Sequence, residues 1–442
     1  MYLLYSILLA LWLVASAPLW IWQRVRHGKH QGLRQRLGAV PGRVHSAGGK
    51  VIWVHAVSVG EVLAITALVQ ELKMRYAEHR IVVSTVTETG QQLARQRFGV
   101  DSVFYFPLDF AFAVRKYVGA LRPDMVVVAE TEFWPNFLRV AKHSGARIAV
   151  VNARISDRSF PGYRRVRPLL KRVLENVDIF LAQSEADRGR LIAIGAAAER
   201  VRVSGNLKFD LAPKASPALI GRVRKALDAG NAGPLLVCGS SVEGEESLLV
   251  DAFRQVSAKY SDAVMVLAPR HPERFSQVAR LLETSGMKFW ERSQWKDEPL
   301  AGGIFLLDSI GELAAMYELA DVAFVGGSLV PRGGHNILEP ARAGIATLVG
   351  PYTENFRDIV NLFLRGTAVR VVTKDALTGT FLELLNNERA RVELGQRAAE
   401  IFAANSGAKE QTVAALDELL RDRDAASEIG REAAPVAGSR RV

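Results

Sequence analysis

The chain has 442 residues, of which 49% are hydrophobic and 23% charged, a globular balance with room for two or three domains and unlike that of a disordered or fibrous polymer. Its single cysteine, Cys238, excludes both an internal disulfide framework and a cysteine-based zinc centre. A net charge of +11 calls for anionic partners: nucleic acid, phosphorylated small molecules or an acidic membrane surface.

The N-terminus chooses among these. Residues 1–23 hold no charged side chain and read as a membrane-anchor helix, since about 20 helical residues match the hydrocarbon layer of a bilayer. Trp20 and Trp22 stand where an interfacial aromatic belt is expected. A basic juxtamembrane segment, 24–47, follows, with Arg24, Arg26, Lys29, Arg34 and Arg36 and no acid among them. This bias places the rest of the chain on the cytoplasmic side of the inner membrane, beside anionic lipid, and leaves no role for nucleic acid. Ala15-Ser16-Ala17 imitates a signal cleavage site, but no basic residues precede the apolar run and Pro18 follows directly, so the anchor is expected to stay.

From residue 48 the pattern becomes short apolar runs alternating with helical periods. Strands are expected at 51–55, 81–85, 125–130, 148–152 and 179–182, with amphipathic helices such as 62–76 and 91–97 between them. A Pro-, Ala- and Ser-rich break at 210–218 ends the first domain, 48–210, and opens a linker, 211–232. The second domain, 233–421, repeats the pattern with strands at 235–239, 264–268, 304–307, 322–325, 347–349 and 368–371. Near-continuous β-branched runs separated by helices predict parallel sheets covered on both faces, hence α/β, with two Rossmann-like doubly wound domains facing a cleft. The charged, small-residue tail 422–442 is expected to be disordered.

Polar motifs fall where these strands end. His55-Ala-Val-Ser-Val-Gly60-Glu61 runs from a strand into a helix, and Glu61 lands in the first helical turn. A carboxylate there is favoured by the helix dipole; it is also the usual group to take a proton from an acceptor hydroxyl, and both readings stay open. Glu130-Thr-Glu132-Phe-Trp134-Pro-Asn136 puts two acids beside a tryptophan at a strand end. From Arg139 to Arg172 there are ten Lys or Arg and one acid, Asp157, which suits docking of a phosphorylated lipid. Ser204-Gly-Asn206-Leu-Lys208-Phe-Asp210 places a lysine after a glycine turn, able to meet a phosphate or simply exposed. In the second half, Pro269-Arg270-His271-Pro272-Glu273-Arg274, Gly311-Glu312-Leu313, Gly326-Gly327-Ser328 and Gly333-Gly334-His335-Asn336-Ile337-Leu338-Glu339-Pro340 follow successive strands. Glycines before helix starts expose N–H groups that can cradle phosphate, and Glu339 suits a ribose or base edge. No His/Asp set has metal-ligand spacing, so no metal or other cofactor is expected.

These runs, with Asn152–Arg154 and Gly244-Glu245-Glu246, resemble the lipopolysaccharide 3-deoxy-D-manno-octulosonic acid (Kdo) transferases, from the N-terminal run to about residue 405. The resemblance implies a GT-B-type glycosyltransferase fold and an inverting transfer of Kdo from CMP-Kdo to lipid IVA, the lipid A precursor. It implies Glu61 as proton acceptor, with Glu130 and Lys208 as transition-state stabilisers. It places CMP on Pro269, Arg270, Ile310, Gly311, Glu312, Asn336, Ile337, Leu338 and Glu339.

Overall fold

The structure, a computed structural model, describes residues 1–27, 32–45, 48–211 and 216–432, the side chains of 17–27, 211, 422 and 424–432 excepted. Two compact units form: Met1–Leu211 with Ser406–Val442, and Ala212–Asn405.

The first unit carries β1 (Lys50–His55), β2 (His79–Thr85), β3 (Val103–Tyr105), β4 (Met125–Ala129), β5 (Arg147–Ala153), β6 (Ile179–Ala182) and β7 (Val201–Val203). They pair in the order β3-β2-β1-β4-β5-β6-β7, parallel throughout. Alternate residues of β1 serve opposite faces. Trp53 packs with Phe104, Tyr117 and Phe137 on one, while Ile52 and Val54 join Leu68, Leu72 and Leu416 on the other. Both faces are therefore dry, as an all-parallel sheet requires.

The second unit carries β8 (Leu235–Ser241), β9 (Val264–Pro269), β10 (Phe289–Glu291), β11 (Gly303–Leu306), β12 (Val322–Val325), β13 (Ala346–Val349) and β14 (Arg370–Val371). Their order is β10-β11-β9-β8-β12-β13-β14, again parallel throughout. Each sheet reverses its winding between two central strands, β1 and β4 in the first and β8 and β12 in the second. Such switch points are where doubly wound sheets bind ligands, outside the carboxyl ends of the strands.

Several boundaries differ from those read in the sequence. The expected linker holds a helix, Pro217–Ala229, whose Leu219, Val223 and Ala226 are buried in the second unit. Its stripe is short and interleaved with arginine and alanine, so its periodicity is faint; residues 212–215 lie outside the described ones. The helix Ala408–Glu432 returns to the first unit instead of closing the second, and it continues past 421, where a disordered tail was expected. Asp210 caps it, accepting from the Gly407 amide at 2.9 Å and the Lys409 amide at 2.6 Å. Residues 433–442 lie outside the described ones. The helix expected over 62–76 is two, Val59–Ala64 and Thr66–Arg75, and the Thr66 hydroxyl donates to the Val62 carbonyl at 2.7 Å across the break.

The N-terminal run is a helix, Tyr2–His27. Leu3, Leu4, Ile7, Leu8, Leu11, Trp12 and Val14 are exposed on it. No helix among the described residues is long and apolar enough to cross a membrane. The aromatic belt at Trp20 and Trp22, the side chains of Arg24 and Arg26, and Lys29 all fall outside what is described.

If the returning helix is part of the first core, Leu416→Ala should destabilise that unit by about 2–5 kcal/mol, the usual cost of truncating a fully buried leucine. Urea unfolding would read it; an unmoved midpoint would put the helix outside that core.

Candidate active site

At the end of β1 the chain turns through Ala56 and Val57 into the helix Val59–Ala64. Ser58 is its N-cap and accepts from the Glu61 amide at 3.4 Å. The Glu61 carboxylate replies, accepting from the Ser58 hydroxyl and from the Val57 amide, each at 2.8 Å. This is a capping box displaced by one residue, and it fixes the carboxylate against the loop it closes. Glu61 is only 7% exposed. Burial drives its pKa up to about 7, against the pull of the Val57 amide and with the help of the Glu130 charge. The helix-capping reading is thus observed, and the same position buries the acid and raises its pKa towards neutrality.

Directly after the neighbouring strand β4 comes Glu130, whose φ of 55° is left-handed, an uncommon posture for a residue with a side chain. Its amide donates to the Val151 carbonyl at 2.9 Å, so the turn is still tied to the sheet. Glu132, two residues on, is pushed to about 7 by burial and by the charges of Glu61 and Glu130. Three carboxylates therefore share one field at the switch point of the first sheet.

Lys208 supplies the positive charge, its Nζ 3.8 Å from Glu130 Oε1. It lies in the short helix Leu207–Leu211, which is held from β5. Asn152, fully buried and with φ 54°, accepts from the Leu207 amide at 3.0 Å. The register of β5 against β6 slips between Val150 and Ala153, turning Asn152 towards that segment. The spacing of 55 residues between Asn152 and Leu207 hides this link from the sequence. Beneath the site His55 is sealed, stacked on Phe106 at 3.9 Å between ring centres and neutral, since burial drags its pKa to about 3.

In the second unit, Glu245 takes the place expected for phosphate. Its carboxylate accepts from the Gly327 amide at 2.7 Å, Leu329 at 2.8 Å, Ser328 at 2.9 Å and Val242 at 3.1 Å. The Gly326–Ser328 amides are therefore not a free cradle; they tie the end of β12 to the end of β8. Gly326 is required there, because a Cβ would come within 2.6 Å of the Ser240 carbonyl and 2.8 Å of Glu245 Oε2.

Arg270 follows β9, its amide bonded to the Ser241 carbonyl at 2.9 Å and its side chain exposed. It shares a field with Glu339 and His335. Burial raises Glu339 to about 6 against the Arg270 charge. Burial, with Arg270 and His271, lowers His335 to about 4, so that ring is neutral. Glu312 is held elsewhere, by Arg292 at 2.8 Å and by the Ser309 hydroxyl. Asn336 Oδ1 accepts from the Leu338 amide at 3.1 Å, closing a local turn. Ile337, Leu338 and Pro269 are buried, whereas Ile310 and Gly311 stand exposed. Of the positions assigned to CMP, the exposed Arg270 and the partly buried Glu339 are thus grouped by charge. The buried apolar members shape the loops and present no side chain. Among the described residues no three His, Cys, Asp or Glu side chains are grouped as a metal ion would need.

Glu61, Glu130 and Lys208, grouped in the sequence by the family resemblance, lie together here. Sequence reasoning noticed Glu132 without giving it a role, and the signal was the E-T-E spacing itself. It did not foresee what Asn152 and Glu245 hold.

Residues 31–211 match the family model described as 3-deoxy-D-manno-octulosonic-acid transferase (kdotransferase). The chain is 34% identical, over 84% of its length and 87% of the other's, to the 3-deoxy-D-manno-octulosonic acid transferase of Haemophilus influenzae. It is 32% identical to that of Bordetella pertussis over 91% and 96% of the two chains. The crystal structure of MurG from Acinetobacter baumannii superposes with a TM-score of 0.50 at 15% identity, covering 80% of this chain and 95% of that one, a likeness of fold alone. Both units are parallel-sheet α/β domains resembling those of GT-B glycosyltransferases.

Carbon-13 NMR of the glutamate carboxyls should show Glu61 and Glu132 titrating near 7, and Glu130→Gln should lower both midpoints by removing a like charge. Midpoints near the ordinary value of about 4.3 would deny the effect of burial, and midpoints unmoved by Glu130→Gln would deny the coupling. Glu245→Ala leaves four amides without their partner and should cost the second unit about 3 kcal/mol or more. Thermal unfolding measures it, and an unchanged midpoint would show that water replaces the carboxylate freely.

Proposed function

Since the chain belongs to the 3-deoxy-D-manno-octulosonic acid (Kdo) transferase family, glycosyltransferases of lipopolysaccharide biosynthesis, we propose that it moves Kdo from CMP-Kdo to lipid IVA with inversion. The observation that carries this reading is the gathering of Glu61, Glu130 and Lys208 at the carboxyl ends of two central strands.

Glu61 is the general base. It takes the proton of the acceptor hydroxyl as that oxygen attacks the anomeric carbon of Kdo, and the bond to the CMP phosphate breaks on the opposite side. A single displacement of this kind inverts the centre and needs no covalent enzyme intermediate. A pKa of about 7 lets Glu61 be ionised often enough to accept the proton and basic enough to want it. Positive charge that develops on the sugar in the oxocarbenium-like transition state is met by Glu130. Lys208 pairs with Glu130 and offers its ammonium to the anionic groups of the reactants, the Kdo carboxylate or the departing phosphate. In the second unit Arg270 is the cation for the nucleotide phosphate and Glu339 the acceptor for the ribose or base edge. Pro269, Ile310, Gly311, Glu312, Asn336, Ile337 and Leu338 shape that nucleotide site, the buried ones through backbone alone. The reaction is proposed to need no metal.

The lipid acceptor requires the enzyme at a membrane, and two surfaces support attachment to the cytoplasmic face of the inner membrane. One is the row of exposed Leu3, Leu4, Ile7, Leu8 and Leu11 on the N-terminal helix. The other is the helix pair Phe160–Arg165 and Arg167–Leu174, where Val166 and Leu169 lie exposed among arginines and Lys171. Apolar groups with cations around them suit an anionic lipid surface.

Purified protein given CMP-Kdo and lipid IVA should form a Kdo-bearing product by mass spectrometry. Glu61→Gln should lower kcat roughly 10²–10⁴-fold, the range of general-base catalysis. The wild-type rate should fall as pH drops below about 7, because protonation removes the base form. No product from folded wild type would refute the donor–acceptor pair; equal rates for the two proteins would reduce Glu61 to a helix cap.

A further inference from the structure

The first two turns of the N-terminal helix are built into the first unit. Ser6 Oγ accepts a hydrogen bond from Asn136 Nδ2 at 3.0 Å. The same nitrogen donates to the Asp109 carbonyl at 2.6 Å, and Asn136 is fully buried. The Tyr5 hydroxyl meets the buried Asp109 carboxylate. One turn earlier, the Arg139 guanidinium lies 4.1 Å from the centre of the Tyr2 ring. The Tyr2 hydroxyl donates to the Arg172 carbonyl at 3.4 Å and accepts from Asn176 at 3.3 Å.

The partners of these contacts matter more than their number. Asp109 accepts from the Asn136 amide at 3.0 Å and the Phe137 amide at 2.7 Å, the free N–H groups that open the helix Pro135–His143. That helix begins where the loop bearing Glu130 and Glu132 ends. Inside the loop the backbone bonds are local: Phe133 to the Thr131 carbonyl at 3.0 Å and Trp134 to the Glu132 carbonyl at 3.1 Å. The backbone of the loop is consequently held at its two ends, by β4 and β5 on one side and by the Asp109–Asn136 clasp on the other, while Phe133 and Trp134 pack against Tyr163, Phe180 and Phe106. Tyr5 and Ser6 brace the clasp from outside.

We propose that the N-terminal helix is a positioning element of the active site: through Tyr5, Ser6, Asp109 and Asn136 it fixes the loop that carries Glu130 and Glu132. Membrane attachment and placement of these carboxylates are then two tasks of one helix. The catalytic consequence rests on the Kdo-transfer reading above; the structural one does not. Displacing a group by about 1 Å in a reaction of this kind costs up to about 10²-fold in rate.

The test compares full-length wild type, Ser6→Ala and the milder Tyr5→Phe in detergent, with amide hydrogen exchange over 130–137 measured beside steady-state kinetics. Faster exchange in that segment is expected in both variants, with kcat down roughly 5–50-fold, KM for CMP-Kdo unchanged and co-sedimentation with anionic phospholipid vesicles retained. Unchanged exchange in both variants would overturn the proposal, as would a loss confined to vesicle binding or to KM for the lipid acceptor. If folded wild type transfers no Kdo, the exchange comparison still decides the clasp and the failure falls on the proposed reaction.

Discussion

In both units each strand runs the same way and the central ones lie between two apolar layers, so along most of its length a central strand has nowhere to put a charge. Polar chemistry is confined to the places where strands leave the sheet. There the same burial that excluded charge from the core acts on whatever acid is stationed at the edge. Burial pushes Glu61, Glu132 and Glu339 upward; neighbouring carboxylates add to it at Glu61 and Glu132, whereas Arg270 opposes it at Glu339. The fold thus selects the site and adjusts its protonation by one means, the dryness of a parallel sheet.

The opposition between the two ends of this arrangement is informative. In the first unit the carboxylates crowd each other, and Lys208 pairs with Glu130 among them. In the second, Glu245 is surrounded by four amides and is spent on structure. Both acids stand at a switch point, and what separates their roles is whether backbone donors reach them. A carboxylate saturated with N–H bonds has little left to offer a substrate, whereas Glu61 keeps one amide and one hydroxyl and remains able to gain a proton.

Most of this was legible in the sequence where apolar runs were long. Eleven strands were expected, and each overlaps an observed one within two residues at its start. The three that were not, β3, β10 and β7, are three residues each, too short for a periodic signal and created by pairing at a sheet edge. Motifs bordering strands pointed to the right loops because residue type and location coincide there. What the sequence could not disclose was long-range hydrogen bonding. Asn152 grips Leu207 across 55 residues, and Glu245 reaches Gly327 across 82. Glycines 326 and 327 looked like a phosphate cradle because a glycine turn that serves an internal carboxylate is written with the same letters. The helix Ala408–Glu432 was assigned to the nearer domain in sequence, since nothing in its stripe of Val413, Leu416 and Leu420 names the sheet it covers.

That helix has a consequence for how the molecule is made. Because Ala408–Glu432 closes one face of the first sheet, strands made early depend on a helix made about 200 residues later. At synthesis rates of about 5–20 residues per second, some 200 intervening residues separate β7 from its cover, leaving Ile52, Val54 and Leu68 without it for roughly 10–40 seconds. The second unit, continuous in sequence from 212 to 405, faces no such delay and can complete its own core first. The order of birth is therefore inverted: the N-terminal half waits, and a premature stop anywhere before Ala408 leaves an uncovered apolar sheet face rather than a smaller working domain.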